Sequence, residues 1–193
     1  LESFLGEARS DEPDAPRALA LLVRAHEMQG QRGQALAAAE TFLARYPRHA
    51  LASELQLRRG YILLLEQKYP AAQPALEAAR DTGEPAVAAP AHVYLGELHR
   101  AAGDHETAVA AYLGATYLYG DTLWAARGLQ GAAQSYLSQN RPREAGIVLR
   151  KLAARDGLEP AMRDWARQAL ATLGPVTGED PGQALRKGTP AKP

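Results

Sequence analysis

The sequence predicts an all-α solenoid: four helical hairpins stacked in chain order and closed by one further helix. Three observations predict it. A short pattern recurs four times, in which a helix ends near a Gly or Asn, a polar turn follows, and Ala stands early in the next helix. It reads Gln29-Gly30-Gln31-Arg32-Gly33-Gln34-Ala35, Glu66-Gln67-Lys68-Tyr69-Pro70-Ala71-Ala72, Ala102-Gly103-Asp104-His105-Glu106-Thr107-Ala108 and Gln139-Asn140-Arg141-Pro142-Arg143-Glu144-Ala145. Its final Ala falls at 35, 72, 108 and 145, a period of 36 to 37 residues, which lies in the range of stacked helical repeats. Apolar residues between the recurrences follow helical spacing, and one amphipathic helix is left over at the end.

Residues 1–15 are expected to form a short leading helix (2–8) and a turn, since Ser10-Asp11-Glu12-Pro13-Asp14-Ala15-Pro16 is rich in Pro and Asp. The repeat domain then spans 16–173. Its first hairpin pairs 17–29, with Leu19, Leu22, Val23 and His26 on one face, and 34–46, with Ala35, Leu36, Ala39, Phe42 and Leu43, ended by Tyr46-Pro47. The second pairs 51–66 with 70–80, turning Leu55, Gly60, Leu63, Leu64 and Leu76 inward. Pro70 suits a first helical turn, whereas Pro74 is expected to bend or shorten its helix. Asp81-Thr82-Gly83-Glu84-Pro85 closes this hairpin.

The third hairpin is the clearest, with helices at 92–102 and 105–119 around Gly103-Asp104. The fourth covers 122–139 and 142–155, anchored by Trp124, Leu129, Tyr136, Val148 and Leu152. A capping helix follows at 159–173 through Met162, Trp165, Ala166 and Leu170. Residues 174–193 are too rich in Gly, Pro and charge to offset the entropy of ordering, so a flexible tail is expected there.

Composition narrows the function. Among 193 residues, Lys+Arg and Asp+Glu number 22 each, so no net field favours nucleic acid or an anionic membrane. No apolar run approaches the roughly 20 residues that span a bilayer. The absence of Cys removes disulfides, thiolate nucleophiles and cysteine zinc sites. Lys68, Lys151, Lys187 and Lys192 are the only lysines amid abundant Arg and Ala, a bias that points to a GC-rich bacterial genome. The sequence opens on Leu1 rather than Met, so further residues, with any signal peptide or lipid-bearing residue, are expected to precede it.

In the third hairpin, Tyr94-Leu95-Gly96-Glu97-Leu98 and Ala108-Val109-Ala110-Ala111-Tyr112 resemble the tetratricopeptide repeat family. Gly96 and Ala108 match its two small residues, where paired helices cross, and Leu95 and Tyr112 match its knobs. Gly60, Ala72 and Leu76 take the corresponding places in the second hairpin; Leu22, Val23, Ala35 and Ala39 do so in the first, and Ala132, Ala133, Ala145 and Leu149 in the fourth. Pro47 resembles the closing proline. The resemblance covers about residues 16–159 and implies a right-handed solenoid whose first helices line a concave groove. The longer period and the ending Phe42-Leu43-Ala44-Arg45-Tyr46-Pro47 look like those of bacterial envelope-associated members, and such endings also occur in cytoplasmic ones.

Helical spacing from the small residues assigns the groove wall to Ala20 and Arg24 in the first hairpin and to Leu57, Arg58 and Tyr61 in the second. The third contributes Val93, Tyr94, Glu97 and Arg100; the fourth contributes Arg127, Gln130 and Gln134. Tyr and Arg combine contact area with polar reach and are enriched at binding hot spots. Arg24, Arg58, Tyr61, Tyr94, Glu97, Arg100, Arg127, Gln130 and Gln134 are therefore the candidate contacts to a protein or peptide partner. A solvated groove wall, or a resting place for the tail, explains the same residues without a partner. One version of the family grips a terminal carboxylate through Asn and Lys; the matching places here hold Arg24, Tyr61, Glu97 and Gln134, so that clamp is not expected. Tyr112, Tyr117, Tyr119 and Trp124 form a second candidate, on an edge or convex side. Tyr117 and Tyr119 cannot share one buried stripe, so one is expected at the surface beside Trp124; ordinary packing between repeats is the alternative.

No catalytic or cofactor motif is legible. His92, His99 and His105 lack zinc spacing, His26-Glu27 lacks a second His, and Ser53, Ser135 and Ser138 have no strained Gly-x-Ser-x-Gly setting. Glu97 and Glu106 read as solvated charges, and no glycine-rich phosphate loop precedes a Lys. Neither an enzyme, a metal nor a cofactor is expected. Two roles remain: an adaptor that binds a protein or peptide in its groove, or a structural segment that spaces and self-associates within a larger assembly.

Overall fold

The computed structural model describes residues 14–120 and 122–173. The helices are α1 (Ala15–Met28), α2 (Arg32–Arg45), α3 (Ala52–Leu65), α4 (Tyr69–Arg80), α5 (Pro85–Ala101), α6 (His105–Leu118), α7 (Leu123–Ser138), α8 (Pro142–Ala153) and α9 (Pro160–Leu173). No strand occurs among the described residues. Helices consecutive in sequence pack together, α1 on α2, α2 on α3 and α3 on α4, then α6 on α7, α7 on α8 and α8 on α9. The fold is all-α and built of helical hairpins, as the sequence predicts. No described helix is long and apolar enough to cross a membrane. The leading helix expected at 2–8 and the tail at 174–193 lie outside the described residues.

One turn closes every hairpin. Gly30, Gln67, Gly103 and Asn140 all have positive φ, at 71°, 58°, 79° and 54°. In each, the amide of this residue donates to the carbonyl three residues back, at 3.0 Å, on Glu27, Leu64, Arg100 and Leu137 respectively. The next amide donates five residues back, at 2.9 Å, to His26, Leu63, His99 and Tyr136. This double bond pattern is the Schellman motif, which satisfies carbonyls that a helix end leaves open. At the third turn, Asp104 adds an N-cap: its carboxylate accepts the Thr107 amide at 3.1 Å.

Three expectations at prolines are corrected. Pro74 does not shorten α4, which continues to Arg80; a proline here forfeits one backbone bond, and Ala75, Leu76 and Ala79 behind it are buried. Nor does the first helix of the third hairpin start at residue 92. It starts at Pro85 and carries Pro90 within it. Val87, Ala88, Ala89 and Ala91 are all at most 5% exposed, so this first part is apolar around its whole circumference and shows no polar face from which a period could be read. At the other end of the chain, Ala15 and Pro16 lie inside α1 rather than in a turn, proline being at home in a first helical turn.

The described residues form two compact units, divided between Ala91 and His92 within α5. In the first, Leu19, Val23, Ala38, Ala39, Phe42 and Leu55 make one core cluster. The Phe42 ring meets Tyr46 and His49 edge-on at 5.7 and 5.6 Å, which seats the Tyr46-Pro47 ending. Gly60 faces Leu76: a Cβ there would lie 2.6 Å from the leucine side chain.

The core of the second unit is organised around Tyr112, which is fully buried. A Cβ on Gly96 would fall 2.5 Å from its ring, and one on Gly131 would fall closer still. Gly128 leaves room for the Tyr112 carbonyl and the Thr116 hydroxyl; that hydroxyl donates within reach of the carbonyls of Tyr112 and Ala125, at 3.2 and 3.1 Å. α5 and α7 thus approach α6 closely because three positions lack a side chain.

The turns and these contacts predict the effect of three substitutions on stability. Gln67 is the one closing residue that is neither Gly nor Asn, and a left-handed conformation costs an ordinary L-residue about 1–2 kcal/mol. Gln67→Gly is expected to raise stability by up to about 1 kcal/mol, while Gly103→Ala, which meets nothing within 4 Å, is expected to lower it by a similar amount; urea midpoints measure both. Gly131→Ala forces a methyl into the Tyr112 ring and should cost about 1–3 kcal/mol, read as a fall in thermal midpoint that shrinks in a Tyr112→Leu background.

Candidate functional site

The sequence places its candidate contacts on α1, α3, α5 and α7, and the structure distributes them over the two units. Arg24, Arg58 and Tyr61 belong to the first; Tyr94, Glu97, Arg100, Arg127, Gln130 and Gln134 belong to the second.

In the first unit, Arg24 stands exposed on α1, in line with exposed Arg17, Leu21 and Met28 at spacings of four, three and four residues. Arg58 is engaged rather than open. It donates to Glu54, one turn earlier, at 3.0 and 2.8 Å, and also to Glu27 on α1. Burial opposes its charge, but the bonds and attraction from Glu54 and Glu27 outweigh burial and raise its pKa. Arg58 therefore ties the first helices of two successive hairpins. Tyr61 is half-buried on the same helix. Leu57, assigned to the groove wall, packs instead against Ala79, Val87 and Ala91.

In the second unit, Val93 is also withdrawn from the wall: it is 5% exposed and belongs to the core. The wall residues Glu97 and Arg100 are paired with each other across one helical turn. Arg100 Nε also reaches the Tyr112 hydroxyl at 3.4 Å. Bonds to Glu97 and Tyr112 hold the guanidinium above its ordinary pKa, and burial, with the Glu97 charge beside it, pushes the Tyr112 hydroxyl up. The pair cancels its own charge and is braced from below by a core residue.

Trp124 is where the second expectation needs correction. Its ring pairs with neither Tyr117 nor Tyr119. Tyr117 receives the Lys151 ammonium, 4.0 Å from its ring centroid, and Tyr119 packs near His92 at 5.8 Å. The Trp124 ring instead meets the edge of Tyr94 at 5.4 Å and an angle of 79°. On its face rests the Arg127 guanidinium, 4.8 Å from the centroid. Two residues predicted as contacts are thus joined by one read as an edge or core residue. The signal was present, since Trp124 precedes Arg127 by three residues and so shares its helix face.

No protein-family model and no curated protein matches this chain. What the site can do is argued from its geometry. Arg127 is exposed, and its guanidinium forms no hydrogen bond or ion pair with any described residue. Gln130 and Gln134, half-exposed, continue the same stripe of α7 at spacings of three and four residues. Leu123 and Leu137, 55% and 37% exposed, mark its two ends. Beside Leu123 opens a cavity of about 140 Å³, lined by Thr122, Leu123, Ala126, Leu158 and Met162 together with Arg155, Asp156, Gly157 and Glu159. Arg155 spends donors on the carbonyls of Gly120 and Thr122, at 3.3 and 3.4 Å. Among the described residues no group of three or more His, Asp and Glu could hold a metal ion.

Proposed function

We propose that this chain is a protein-interaction module of tetratricopeptide type, which holds a peptide or protein segment on its first-helix face within a bacterial envelope-associated assembly. The observation that carries the reading is the Tyr94, Trp124 and Arg127 stack continued by Gln130 and Gln134. It offers half-exposed aromatic area, an open cation and two amides on one face. These residue types dominate binding energy at interfaces because they pair large apolar area with directed hydrogen bonds. They also sit on rigid helices, so little entropy is lost in positioning them. The sequence resemblance supports the same reading, and catalysis is no part of it.

The test is affinity capture from bacterial extract with crosslinking, run in parallel on the wild-type chain and on Tyr94→Ala/Arg127→Ala/Gln134→Ala after helicity is shown equal by circular dichroism. A partner retained by the wild type and reduced at least tenfold in the variant is expected. Equal capture by both would end the assignment to this face.

The exposed stripe of α1 favours a second reading, self-association of a structural segment. Leu21 and Met28 are 59% and 89% exposed on one face, and apolar side chains repeated at helical spacing suit a helix-to-helix contact. On this reading the wild-type chain is a dimer or larger by light scattering and Leu21→Lys/Met28→Lys is a monomer; a monomeric wild type at high concentration would exclude it.

A further inference from the structure

Charge and shape on α7 narrow the kind of segment that the face would take. Arg127 is the sole Asp, Glu, Lys or Arg in the 16 residues of that helix. On α5, Glu97 and Arg100 neutralise each other. Among the described residues, the first-helix face of the second unit therefore carries one uncompensated positive charge, and it is not a freely moving one. The guanidinium carbon lies over the Trp124 ring, and the Tyr94 ring meets Trp124 edge-on. The Trp124 ring lies to one side of a guanidinium that is exposed, so its N–H donors remain available to a planar acceptor.

One turn before Arg127, the cavity beside Leu123 offers Leu123, Ala126, Leu158 and Met162. Its volume of about 140 Å³ suits one apolar side chain, being of the order of the 150 Å³ that admits a benzene ring. The same lining carries the two carboxylates Asp156 and Glu159 against the single cation Arg155, which donates to the Gly120 and Thr122 carbonyls, so its net negative charge disfavours a further carboxylate in the cavity itself. The two features thus sort a ligand's groups: an acid is directed to Arg127 and an aliphatic or aromatic group to the cavity.

Resting on the binding reading above, we propose that the occupant is an acidic–apolar peptide segment, with a Glu or Asp carboxylate on the edge of Arg127 and a neighbouring Leu, Ile, Met or Phe side chain in the Leu123 cavity. The amides of Gln130 and Gln134 meet the peptide backbone farther along α7. The carboxylate comes from a side chain within the segment.

The test uses the full 193-residue chain and a displayed library of random 12-residue peptides. The enriched peptides are resynthesised with each Glu or Asp exchanged for Gln or Asn. The expected enrichment is an acidic residue within a few positions of a large apolar one. Removing that acid, or changing Arg127→Gln, should each weaken binding about 10- to 100-fold, as loss of a charge-assisted hydrogen bond does. Arg127→Lys should lose less, and the two changes combined should cost little more than either alone. Ala126→Phe, which fills the cavity from its wall, should lower affinity for peptides carrying the apolar group. If the enriched peptides lack acids, or bind Arg127→Gln as tightly as wild type while Gln134→Ala weakens them, the face binds peptide but the acidic–apolar assignment is wrong. If nothing is enriched above an unrelated helical protein, both this inference and the binding reading fall.

Discussion

The geometry of every hairpin rests on one backbone constraint: a single residue after the first helix must enter the left-handed region. Only then can two successive amides turn back onto the carbonyls of the helix just ended, as they do at Gly30, Gln67, Gly103 and Asn140. The turn fixes the distance to the small residue that opens the next helix, because Ala35, Ala72, Ala108 and Ala145 each lie five residues beyond it. All four of those alanines are fully buried. Backbone conformation and side-chain size are therefore set in one phase, and the packing of each pair inherits it.

Within the second unit this regularity is used to hold one large side chain. Tyr112 occupies space that Gly96 and Gly131 vacate, and its hydroxyl emerges next to Arg100. A residue of the core thereby reaches the first-helix face and limits where Arg100 and Glu97 can go. The stack of Tyr94, Trp124 and Arg127 is ordered differently, by ring contacts between α5 and α7. The first unit uses polar ties for a related purpose, with Arg58 joining α3 to α1. A candidate contact that spends its donors on such a tie has little left for a partner, which separates Arg58 and Arg100 from Arg127.

Much of the fold was legible because helix pairing leaves a local trace. The small residue after the turn identified the second hairpin even where Gln67 replaces the usual Gly or Asn. The capping helix was legible through Met162, Trp165 and Leu170, which pack on the core of the second unit. What stayed hidden has physical reasons. Residues 87–91 of α5 are buried on all sides, so they carry no amphipathic period. Val93 and Leu57 were placed on the wall because spacing fixes a direction around one helix but not how far its neighbours wrap over it. The site was legible as a set of helix faces and illegible as a set of contacts. Spacings of three residues point to Glu97–Arg100 and Trp124–Arg127 within one helix, but sequence does not reveal that Tyr94 of α5 would meet Trp124 of α7 or that Arg100 would reach the Tyr112 hydroxyl.

The repeated turn also bears on how the chain reaches its native state. Each hairpin joins helices across only a few residues, so its contacts form between segments close in sequence and little loop entropy opposes them. Proteins dominated by such near contacts fold in microseconds to milliseconds, orders of magnitude faster than those that must first bring distant strands together. Four turns of one type provide four local starting points. Nucleation need not begin at one end of the chain, and a fault in one hairpin delays its own closure without blocking the others.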